Sequence, residues 1–152
     1  MSPGDGVLRA ILRGGLAAGI GDSVLARVLY RVPFTVVYQS VASGLLGRAA
    51  FRGGLATAAL GMLLHFFIAT TAAAVYVGAS HKWPLLARRP VPCGLAFGTA
   101  VYFFMKYVVL PLSAVSRLTP FDPAAMIGHA LLVGLPIALF ASLRRSREPA
   151  QA

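Results

Sequence analysis

Charge is scarce in this chain. Only 12% of its 152 residues are Asp, Glu, Lys or Arg, four of them acidic, while 58% are hydrophobic. Too little polar surface remains to cover a water-soluble domain of this size, so the composition points to lipid as the solvent. Cysteine is nearly missing too. Cys93 stands alone, which excludes an intramolecular disulfide framework and a cysteine-based zinc site. The opening MSPGDG carries no basic residue, and Arg13 and Asp22 interrupt the apolar stretch behind it, so the pattern of a cleaved signal peptide fails. Internal repeats are lacking, as are strong catalytic motifs such as G-x-S-x-G and H-E-x-x-H.

What is there is apolar length. A spanning helix needs about 20 mainly apolar residues. The segments from Gly53 to His81 and from Pro123 to Leu143 meet this without one charged residue, and Val91 to Val115 is interrupted only by Lys106. A fourth segment, Val7 to Tyr30, contains Arg9, Arg13, Asp22 and Arg27. The expected fold is therefore all-α: a single domain, residues 1–152, forming a membrane bundle of four transmembrane helices over about 7–30, 53–80, 91–115 and 123–143. Residues 147–152 read as a disordered tail. Asp122-Pro123 is an N-cap followed by proline at the first helical position. Pro111 and Pro136 fall late in their spans, where each frees a carbonyl one turn earlier, and predict kinks.

Between the first two spans lies QSVASGLLG, part of an uncharged run from Pro33 to Gly47. At about 1.5 Å per residue it reaches only about 22 Å, too short to cross, and reads as a re-entrant or interfacial helix. Its small residues Ser40, Ser43, Gly44 and Gly47 are expected against the bundle, opposite Val37, Val41 and Leu45.

The net charge of +10 would suit nucleic acid only if basic residues gathered on one water-facing surface, whereas they flank the apolar runs, so no nucleic-acid partner is expected. Eight of them (Arg9, Arg13, Lys82, Arg88, Arg89, Arg144, Arg145, Arg147) fall on the side of the termini, against five (Arg27, Arg31, Arg48, Arg52, Arg117) opposite. That bias predicts both termini in the cytoplasm. Lys82, Arg88, Arg89, Arg144 and Arg145, with Trp83, are expected near anionic lipid headgroups.

Three ridges of small residues at i+4 run into an ionisable one: Gly14, Ala18, Asp22; Gly53, Thr57, Gly61, His65; and Gly94, Gly98, Tyr102, Lys106. Small residues let membrane helices approach closely, so these side chains are expected to face neighbouring helices. From the helical rise, Asp22 and Lys106 lie at matching depth, about 20 and 22 Å in, and His65 about 18 Å from the other side. The candidate buried polar cluster is Asp22, Gln39, His65 and Lys106, with Asp22 and Lys106 paired and Gln39 covering them. Alternatives stay open: Lys106 snorkelling past Tyr107, Asp22 pairing with Arg27 or capping a broken helix, and His65 as a packing histidine. His129 is expected at the interface, and two histidines of different depth and facing argue against a bis-histidine haem. No cofactor, metal or catalytic residue is expected.

The segments QSVASGLLG, FRGGLATAALGMLLHFFIA, VYVGAS and VVLPLSA resemble a family of small bacterial four-helix integral membrane proteins of unassigned activity, over about Gly14 to Ala114. The resemblance implies that topology, a bacterial inner-membrane location, and Asp22, Gln39 and His65 as the positions to test first. Three functional classes follow. A non-enzymatic accessory or scaffold protein comes first, then a subunit of an oligomeric ion- or proton-coupled transporter, then an intramembrane enzyme using Ser40 or Ser43 with His65. A homo-oligomer or a larger membrane complex stays open as its setting.

Overall fold

A computed structural model of the chain describes residues 3–116 and 119–147. Every regular element among them is helical: α1 (Pro3–Tyr30), α2 (Phe34–Leu46), α3 (Gly54–Lys82), α4 (Leu85–Arg88), α5 (Pro90–Phe104), α6 (Leu110–Leu112), α7 (Pro123–Gly128) and α8 (Leu135–Arg147). A 3-10 segment, Gly47–Arg52, joins α2 to α3.

Among the described residues, three stretches are long and apolar enough to cross a membrane: α3, the continuous rod Pro90–Leu112, and the rod Pro123–Arg144. Each rod contains one π segment, Met105–Val109 in the first and His129–Gly134 in the second. Both sit just ahead of a proline, Pro111 and Pro136. The proline ring crowds the carbonyl four residues back and offers it no N–H, and widening the turn is how the helix absorbs that loss. α8 runs through Arg147, one residue into the expected tail; the rest of that tail, 148–152, lies outside the described residues.

α1 runs antiparallel to α3 and to the α7–α8 rod, and α5 antiparallel to that rod. α1 packs on α3 and on the α7–α8 rod, which in turn lies between α1 and α5. The shared core is built from small residues, Ala10, Ala18, Ala73, Ala138 and Ala141, around Tyr76, Val77 and Ile137. α5 and the last rod meet at glycine: Gly134 faces the backbone of Gly94 and Gly98 so closely that no side chain fits between them. Tyr76 donates to the Leu86 carbonyl (2.9 Å) and so pins α4 against the end of α3.

α2 lies across the opposite end. Arg27 stacks on Phe34, 5.2 Å from the ring centre, at its start, and the Ala114 N–H donates to the Gly44 carbonyl (2.8 Å) near its finish. Both ends of α2 are thus held where α1 ends and the Pro90–Leu112 rod finishes. The face it buries matches expectation at Ser43, with Leu45 exposed, and differs at Val37 and Ser40. Val37, Gln39, Ala42 and Ser43 turn inward, whereas Ser40 is exposed and returns its hydroxyl to the Val37 carbonyl (2.6 Å). The reason is the Gly61 notch in α3, which admits the α2 backbone at Tyr38 and Ala42 and so sets the rotation of the whole helix.

Candidate functional site

The polar residues of the spans gather at this α2 end, in separate groups rather than one cluster. The first group joins α1, α2 and α3. His65 Nε2 lies 2.9 Å from the Gly19 carbonyl and 3.1 Å from Ser23 Oγ, Ser23 donates to the same carbonyl (2.8 Å), and Tyr38 donates to Ser23 (3.2 Å). A carbonyl only accepts, so Nε2 carries the hydrogen there. His65 therefore cannot take a proton from Ser23 through Nε2, and this serine is a strut rather than a nucleophile. Ser40 and Ser43, the serines expected to pair with His65, instead donate to the carbonyls of Val37 and Ser40 (both 2.6 Å).

The second group ties α2 to α3: the Gln39 amide donates to the Gly54 carbonyl (2.9 Å), with Thr57 Oγ1 at 3.5 Å. Gln39 thus braces the first turn of α3 and does not cover Asp22, Lys106 or His65.

The third group holds Lys106, which is only 5% exposed. Its amine donates to the carbonyls of Thr119 and Pro120 and lies 5.8 Å from the Tyr107 ring centre. The expected Asp22–Lys106 pair does not form. The segment before α7 folds back over the rod's end, and its carbonyls, outside any helix, reach the amine first.

Asp22 instead faces His129, with Oδ1 3.6 Å from Nε2. Asp22 and Ser23 are consecutive on α1, so their side chains point about 100° apart, one toward the last rod and one toward α3. That angle divides the anticipated cluster. Nearby, Asp122 caps α7 by accepting from the N–H groups of Ala124 and Ala125 (both 3.0 Å) and from the Tyr30 hydroxyl (3.0 Å). The Ala125 N–H is the main influence holding its carboxyl below the ordinary range, with Tyr30, Ala124 and the Lys106 charge assisting. Tyr102 completes the surroundings: its hydroxyl accepts from the Asp122 N–H (3.0 Å) and its ring centre lies 5.6 Å from that of His129.

Ser23, Tyr38 and His129 carry contacts that the reading of the sequence did not assign. Ser23 was visible in principle, because it continues the i+4 series Gly15, Gly19. No group of three or more metal-ligating His, Cys, Asp or Glu side chains converges among the described residues.

Since Asp22 and Lys106 share no partner, Asp22→Asn and Lys106→Met should act additively. Lys106→Met removes two charge-assisted hydrogen bonds and relieves a buried charge, for a net loss of about 1–3 kcal/mol. In thermal unfolding of the detergent-solubilised protein, the double variant should lose the sum of the single losses within about 0.5 kcal/mol. Recovery of stability in the double variant would reinstate the pair.

Compared with protein-family models, curated proteins and solved structures, the chain matches none.

Proposed function

We propose that the protein is a four-span protein of the bacterial inner membrane, with both termini cytoplasmic, acting as a non-enzymatic accessory or scaffold subunit. The observation that carries the fourth span is a row of exposed apolar residues along α1: Leu8, Leu12, Leu16, Ile20, Val24 and Val28. Twenty residues separate its ends, about 30 Å of helix, the thickness of a bilayer's hydrocarbon core. α1 thus offers lipid an unbroken apolar flank despite its five charged residues, with Ala10, Gly14 and Ala18 buried on its bundle side.

The scaffold reading rests on how the polar side chains are employed. Gln39, His65 and Lys106 each grip a backbone carbonyl of a neighbouring segment, which is bracing rather than chemistry. Exposed Lys82, Arg88 and Arg89, beside exposed Trp83 and Leu85, would sit among anionic headgroups at the terminal end. Arg144 departs from that expectation, being buried beside Gly6, and the side chain of Arg145 lies outside the described residues. A transport subunit is the second reading, favoured by the Asp22–His129 contact inside the bundle.

Alkaline phosphatase fused after Ala152 should be inactive, and fused after Ser116 active; the reverse pattern would overturn the orientation. Purified and reconstituted into liposomes, the protein should leave an imposed pH gradient intact. Rapid collapse of that gradient, abolished by Asp22→Asn, would replace the scaffold reading with transport.

A further inference from the structure

As a neutral imidazole and a carboxylate, His129 and Asp22 have no hydrogen to share across the contact they make. His129 Nδ1 lies 2.9 Å from the Ala125 carbonyl, and because a carbonyl oxygen only accepts, Nδ1 carries a hydrogen. In the neutral ring that tautomer leaves Nε2 as a bare lone pair. Nε2 is the atom that faces Asp22 Oδ1 at 3.6 Å, an ion-pair separation rather than a formed hydrogen bond. A lone pair turned toward a carboxylate repels it. The contact becomes attractive once a proton sits on Nε2 or on the carboxyl, and both side chains are about one-fifth exposed (20% and 23%), which limits the water that could screen them.

The groups around the pair do not supply that charge. From α5, Tyr102 presents its ring to His129 and its hydroxyl to the Asp122 N–H. From α1, Tyr30 donates to Asp122, and Arg27 stacks on Phe34 while donating to the Val32 carbonyl. Lys106, on the Pro90–Leu112 rod, donates to the Thr119 and Pro120 carbonyls. None of these described contacts sets a lysine or arginine on Asp22.

We propose that Asp22 and His129 form a proton-binding site joining α1 to the last rod, its ligand a single proton held between Oδ1 and Nε2. Losing the proton turns attraction into repulsion beside the place where Leu25 of α1 fills the notch at Gly128. Occupancy of the site and the contact between these two helices are therefore linked. The site stands whether or not the protein moves protons across the membrane.

Nitrogen-15 spectra of the full-length protein, labelled at histidine in detergent at pH 7 and assigned with His129→Gln, test it. Neither His129 nitrogen should give a bare lone-pair resonance. Asp22→Asn should produce one from Nε2 while leaving the His65 signals in place. A bare Nε2 resonance in the unsubstituted protein would overturn the site, as would an Asp22→Asn spectrum indistinguishable from it. Should Asp22→Asn not fold, the unsubstituted spectrum decides alone.

Discussion

Gly61→Ala is expected to lower the stability of the detergent-solubilised protein by about 2–3 kcal/mol, the overpacking range for a site that cannot relax. A Cβ at position 61 would run into the Tyr38 carbonyl, both its oxygen and its carbon, and stand 3.2 Å from the Ala42 nitrogen. All three are backbone atoms, so no change of rotamer relieves the clash. α2 must lift away from α3, and lifting it pulls on the Gln39–Gly54 and Tyr38–Ser23 hydrogen bonds together. With Cys93 replaced, a cysteine at the buried Ala42 should then become open to thiol reagents. Gly78→Ala is the control. Nothing lies within 4 Å of its added Cβ, so that substitution should be neutral or gain up to about 1 kcal/mol from helix propensity. Equal stability of the two variants would mean that α2 does not dock at Gly61.

Gly134→Ala should destabilise by a similar amount at the opposite face of the bundle. Its Cβ would meet the Gly94 carbonyl and the Gly98 nitrogen, and lie 2.7 Å from the Gly98 Cα, again all backbone. In a bilayer, where lipid tails are as apolar as leucine, close approach at small residues supplies much of the attraction between helices, so opening this crossing removes what holds α5. Gly98→Ala attacks the same crossing from the other side, against the His129 carbonyl and Ala130. The two substitutions should therefore be less than additive, because a crossing already opened by one costs little more to open for the other. Thermal unfolding of both single variants and the double variant measures this directly. Strict additivity would show that the two glycines act at independent contacts.

Much of the architecture was legible in the residues themselves. Freedom from charge over more than 20 positions marks the α3 stretch and the Pro123–Arg144 rod, because the length of an apolar run is a local property that no neighbour alters. Asp122-Pro123 caps α7 as those two residue types dictate, and Pro111 and Pro136 each disturb the turn before them, since proline's missing N–H acts on its own helix wherever the helix packs. The i+4 ridges likewise marked Gly61, Gly94 and Gly98 as places of close approach. What periodicity along one helix could not state is which neighbour each ridge meets. Matching depth and the small-residue ridges paired Asp22 with Lys106, but a pair also needs two side chains turned toward each other about their own axes. That angle depends on the crossing each helix adopts. Here the glycine crossing of α5 with the last rod and the Gly61 notch for α2 set those rotations. Asp22 then faces His129, Ser23 rather than Asp22 reaches His65, and Lys106 is left to loop carbonyls whose return path no helical pattern encodes.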